Sequence, residues 1–134
     1  ALPFLSRHHR MVVTTFRHSG SAQMSIVMGG PFESGMALVA RDDTAKVRNL
    51  GRDPRISVLV VSEDWRGWVA VEGTAEIRGS DNTVPEELRV LLREVFKAAG
   101  GDHGDWDEYD RVMREDRRAV ILITPARVTG QRYE

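Results

Sequence analysis

The chain has 134 residues, 41% of them apolar and 29% charged, and a formal net charge of -1. That length suits one domain with one core, expected to span residues 1–134, and the near-zero charge supplies no global field to draw nucleic acid or anionic lipid. There is no cysteine, which excludes disulfides, thiolate metal sites and thiol catalysis and fits a reducing cytosol.

No apolar run approaches the roughly 20 residues of a membrane helix. No signal-peptide pattern opens the chain, so a cytoplasmic protein that avoids membranes is expected. It begins Ala-Leu-Pro rather than Met, so a few residues are expected to precede it.

In chain order, residues 11–17 are β-branched and predict a strand. His18-Ser19-Gly20-Ser21 is turn chemistry, and 22–28 returns as the second strand of a hairpin. Gly29-Gly30-Pro31 is expected to break that strand. Residues 36–41 predict a third strand and 44–51 a short helix. Residues 55–62 are almost continuously apolar, which predicts a strand buried on both faces. Residues 68–78 alternate with period two, and Gly73 in their middle suits a bend or a close backbone approach.

Residues 85–99 carry a helical stripe of Leu88, Leu91, Leu92, Val95, Phe96 and Ala99, opened by Pro85 and ended by Gly100-Gly101. A second helix follows over 105–117, with Asp105 and Glu108 at capping-box spacing. Residues 119–124 predict a strand, interrupted by Pro125, and 127–133 another. Six or seven strands, mostly adjacent in sequence, predict a mainly β fold: a small antiparallel barrel with helices at its side. Its interior is filled by its own side chains, so a ligand belongs outside it or in a cleft between subunits.

The most informative stretch is 39–54: strand end, turn, helix start, and a stop at Pro54. It offers the Thr44 hydroxyl, the Lys46 ammonium, the Arg48 guanidinium and the free amides of a helix start. Such a combination holds phosphate. Spacing alone also accommodates plain surface charges on a short helix, and favours that reading. Residues 41–55 hold five basic and three acidic residues, which suits a small anion rather than a polyanion. The basic stretch is interrupted by Asp42, Asp43 and Asp53 and lacks aromatics, which argues against nucleic acid.

The segment AKVRNLGRDPR (45–55), the strand ISVLV after it and VAVEGTAEI (69–77) resemble the split β-barrel superfamily of flavin oxidoreductases, the pyridoxamine 5'-phosphate oxidase-like, FMN-binding fold. More narrowly, with GDHGDWDEYDRVMREDRRAVILITPARVTG (101–130), the chain is similar to the branch that uses the deazaflavin coenzyme F420. The match runs from about residue 11 to 130.

The resemblance implies a homodimer with the cofactor in a groove between two barrels. Lys46 would be the main phosphate cation, with Thr44, the amides of Ala45 and Lys46, and Asn49 around it. Gln23, Met24 and Ser25 would run beside the ring, and Arg41 would border the groove. Two departures matter. Some relatives carry a basic residue where Thr44 stands, so Arg41 is expected to supply the missing charge. Relatives also start with a helix, whereas few residues here precede the first strand.

His8, His9, His18 and His103 lack the spacing of a metal site, and the acidic cluster at 102–110 lacks the ligand pattern of a calcium loop. Trp68 is expected at a dimer interface more than in the groove wall. Ser25 and Ser57 show no triad spacing. Three functions are open. One is an F420-dependent oxidoreductase moving a hydride to a small unsaturated or oxidised molecule, with no side chain assigned as catalytic. Another is the same chemistry with FMN. The third is a cofactor carrier or haem binder without turnover. Loops 29–35 and 62–67 are expected to shape the substrate pocket.

Overall fold

A computed structural model describes residues 2–131. Six strands, β1 (Arg10–Phe16), β2 (Ala22–Phe32), β3 (Gly35–Arg41), β4 (Arg55–Val61), β5 (Trp68–Arg78) and β6 (Arg118–Gln131), close into an antiparallel barrel in the order β1-β2-β3-β6-β5-β4. Four helices complete the chain: α1 (Leu2–Arg7), α2 (Ala45–Arg52), α3 (Pro85–Ala98) and α4 (Trp106–Glu115). The fold is the mainly β barrel with flanking helices that the strand pattern implies.

Period-two alternation fills the barrel. Met11 and Val13, Met36 and Leu38, Ile56, Val58 and Val60, Val69 and Val71, and Ile121 and Ile123 all point inward and are buried. Each contributes about 1.5–3 kcal/mol by leaving water. Phe4 and Leu5 of α1 join this cluster. A second cluster lies outside the barrel, where Leu88, Leu92 and Val95 of α3 and Tyr109 of α4 pack on Ala37 of β3 and Val120 of β6. No helix among the described residues is long and apolar enough to cross a membrane.

The two outer helices are tied by Asp110. Its side chain is only 11% exposed and accepts from Arg93 Nε at 2.8 Å and from Arg89 Nη1 at 3.4 Å. The hydrogen bonds from Arg93 hold its carboxyl below the ordinary 3.8. The stabilisation is therefore complete above pH about 4 and is lost as pH falls through the lower folded value. Asp110→Asn should cost about 1–2 kcal/mol in urea unfolding at pH 7. The difference from wild type should shrink as pH falls through the folded value, where the Asp110 carboxyl takes up its proton.

Several sequence expectations change. The chain does begin with a helix: α1 forms because Phe4 and Leu5 find the barrel core. Gly29-Gly30-Pro31 does not end β2, which pairs on to Phe32↔Gly35. The glycines serve close packing instead, since a Cβ at Gly30 would lie 1.9 Å from the Ala98 carbonyl oxygen. Residues 118–131 form one strand rather than two. Pro125 fits because β6 pairs with β3 only as far as Met36↔Ile123, so its missing N–H breaks no bond on that side. A bulge at Glu72/Gly73 absorbs the irregularity opposite Pro125. Arg132 and Tyr133, in the predicted last strand, lie outside the described residues.

β4 is not buried on both faces. Ile56, Val58 and Val60 are inside, while Leu59 is 37% exposed. Across β1, where Val12 stands between Leu59 and Ile26, the outer face of β2 bares Met24, Ile26 and Met28, at 66%, 78% and 53% exposure.

Candidate functional site

A groove of about 510 Å3 lies outside the barrel, on the β2–β3 face. Part of its wall is apolar and aromatic, made by Ile26 and Met28 of β2, Phe96 of α3 and Tyr109 of α4. Arg41, Lys46 and Arg118, with the Thr44 hydroxyl, make the wall cationic as well. Among the described residues no carboxylate lines it.

The cationic part of the wall follows from local structure. β3 delivers Arg41 at its last position. Thr44 then takes extended backbone (φ -77, ψ 158) as the residue before α2, which turns the chain and places Lys46 in the first helical turn. The Thr44 hydroxyl caps none of the first-turn amides and donates instead to the Arg41 carbonyl at 2.9 Å. Those amides and the positive end of the helix dipole stay available to an anion.

Lys46 is half-buried, and among the described residues no carboxylate pairs with its ammonium. Burial, and next the charge of Arg118, hold its pKa below the ordinary 10.5. A half-buried cation of this kind has the chemistry to receive an anion. Arg41 differs, because Asp43 pairs with it at 3.0 Å near the surface. Tyr109 donates to the Leu92 carbonyl at 3.0 Å, and burial pushes its phenol up to about 12. It is part of the wall and holds its proton for the helix.

Of the residues singled out from sequence, Arg41, Thr44 and Lys46 meet in the groove. Ala45 contributes its place in the same helical turn but is not in the wall. Gln23 accepts from Thr15 at 3.3 Å and donates to the Met24 carbonyl at 3.1 Å. Met24 points out to the bare face, and the Ser25 hydroxyl is buried without a partner. The groove takes the next residues of that strand, Ile26 to Met28. Asn49 is buried away from the wall. Its Nδ2 donates to Thr15 Oγ1 at 3.1 Å and its Oδ1 accepts from Arg52 at 3.0 Å, so its amide is spent on the protein. Trp68 does not line the groove either.

Sequence reasoning missed Phe96, Tyr109 and Arg118 as groove residues. The first two read as a helical core stripe and a capped helix. Arg118 carries no local signal at all; strand pairing alone brings it opposite Arg41. Among the described residues no three His, Asp or Glu side chains gather where they could hold a metal ion.

Residues 1–132 match the pyridoxamine 5'-phosphate oxidase family. The chain belongs to that family. Its barrel is the family's split β-barrel, a flavin-binding oxidoreductase fold. Three solved structures share it. A conserved hypothetical protein of Mycobacterium tuberculosis superposes with a TM-score of 0.76 at 21% identity, over 96% of this chain and 80% of that one. An F420 reductase gives 0.71 at 17% identity, over 95% and 94%. The heme storage protein of Vibrio cholerae, HutZ, gives 0.66 at 12% identity, over 95% and 89%. At such identities the likeness establishes the family fold, and the functions of these proteins differ among themselves.

Proposed function

We propose that the chain is an F420-dependent oxidoreductase that moves a hydride between the deazaflavin and a small unsaturated or oxidised organic substrate. The observation that carries this reading is the groove's polarity. Apolar and aromatic side chains share one groove with a helix-start lysine that no carboxylate pairs among the described residues, which suits a flat ring with a phosphorylated tail. When bound, the deazaflavin supplies the carbon that gives or takes the hydride. The protein's part is to bind and orient. Lys46 and the first-turn amides of α2 hold the tail. Ile26, Met28 and Phe96 shield one side of the ring from water.

FMN is the second reading, because a cluster of cations also suits its dianionic monoester. A haem placed in this groove would find no imidazole, since no histidine among the described residues lines it. The reading includes a homodimer. Met24, Ile26, Met28 and Leu59 form an exposed apolar face too continuous for a stable free surface, and it borders the groove. A second copy seated there would roof the site.

Fluorescence titration tests the cofactor. F420 should bind at least about tenfold tighter than FMN, as its longer anionic tail can meet more of the groove's cations. The reverse order would hand the site to FMN, and binding of neither would end both readings. Light scattering should give twice the 15.1 kDa of one chain; a monomer at micromolar concentration would remove the dimer.

A further inference from the structure

We infer that Arg118 is the second cation of the anion site, gripping the phosphate of the ligand's tail together with Lys46. This rests on reading the groove as the site of a phosphorylated ring cofactor. It assigns the charge missing at Thr44 to the far end of the sequence rather than to Arg41.

Pairing of β3 with β6 sets Arg118 directly opposite Arg41, so both side chains stand on the outer face of the sheet. Like charges facing each other across a sheet are destabilising. Lys46 joins them on the same wall and is depressed in pKa partly by Arg118. Three cations thus converge where no carboxylate lines the wall. Arg41 has its own partner in Asp43. Arg118 does not have an equivalent one. Its Nε is buried with no hydrogen-bond acceptor, and its Nη2 reaches Asp116 only at 3.6 Å. A buried guanidinium N–H without an acceptor costs stability. Arg118 lines the groove and is more loosely paired than Arg41, so it is the cation left to grip an arriving phosphate.

Its position is held by the preceding residue. Arg117 takes a left-handed backbone (φ 52), and its carbonyl accepts from the Asp42 amide at 3.0 Å. Its Nε donates to the Asp42 carboxylate at 2.9 Å. This two-way bond ties the start of β6 to the turn that leads into α2. Lys46 and Arg118 therefore keep a fixed spacing before any ligand arrives. Such preorganisation lowers the cost of binding.

The test is a titration of wild type, Arg118→Gln, Arg118→Lys and Lys46→Ala with F420, FMN and riboflavin, which has the FMN ring and no phosphate. Arg118→Gln should weaken the phosphorylated ligands about tenfold and leave riboflavin unchanged. Arg118→Lys should recover part of the loss. A loss on F420 assigns a phosphodiester and a loss on FMN a monoester; either supports the inference. Wild-type affinity in Arg118→Gln, with Lys46→Ala impaired, would overturn the inference and leave the groove reading standing. Equal losses with riboflavin would make Arg118 merely structural. Wild-type affinity in both variants would overturn the groove reading as well. A measurement on wild type covers a variant that fails to fold: the Arg118 guanidinium resonances should shift on adding inorganic phosphate, and unmoved signals would refute the contact.

Discussion

Lys46→Ala should weaken F420 or FMN binding more than about tenfold, because a phosphate loses its nearest charge in a half-buried groove. The same change should not destabilise the free protein. Lys46 has no carboxylate partner to lose, and its removal relieves both its desolvation and its repulsion with Arg118. The sign with pH follows. Its folded pKa lies below the unfolded 10.5, so the folded chain holds its charge at a cost that is complete below the folded value and fades as pH rises towards 10.5. The variant's advantage in thermal midpoint should be largest at neutral pH and disappear in alkali. Wild-type affinity should fall as pH climbs through the free-protein midpoint of Lys46, and that alkaline limb should be missing in the variant. Unchanged affinity in Lys46→Ala would remove the phosphate assignment.

Gly30→Ala should be strongly destabilising. Its Cβ would sit 1.9 Å from the Ala98 carbonyl oxygen and 2.6 Å from the carbonyl carbon. Those are backbone atoms, so no rotamer change relieves the clash, and α3 must move off β2. The expected loss is about 3 kcal/mol in urea unfolding. Ligand binding should fall with it, since Ala99, Gly100 and Gly101 beyond that helix end form part of the groove wall. Gly51→Ala is the control. Nothing lies within 4 Å of a Cβ there, and the position is inside α2, so it should stabilise by about 0.5–1 kcal/mol. Wild-type stability in Gly30→Ala would mean that α3 does not pack so closely on the strand.

Much of the fold was legible because its signals are local. Alternation over 68–78, the stripe over 85–98 and the Asp105 cap with its bond from the Glu108 amide at 3.1 Å all formed as their residues dictate. The misreadings occurred where a local signal met a tertiary demand. Gly30 and Pro125 look like breakers. One admits a neighbouring helix and the other sits where pairing on one side has ended. The apolar run of β4 signalled two covered faces, but a single chain covers one and leaves Leu59 bare.

By itself the chain's order of residues determined the six strands, helices α2 to α4 and the strand-to-helix turn holding Arg41, Thr44 and Lys46. Each depends on neighbours within a few positions, through alternation, capping and helix-start amides. Only the folded structure decided that Asn49 spends its amide on Thr15 and Arg52, that Tyr109 walls the groove, and that Arg118 stands across from Arg41. Those outcomes depend on strand register and helix docking between residues far apart in the chain, and no spacing rule along a single segment encodes them.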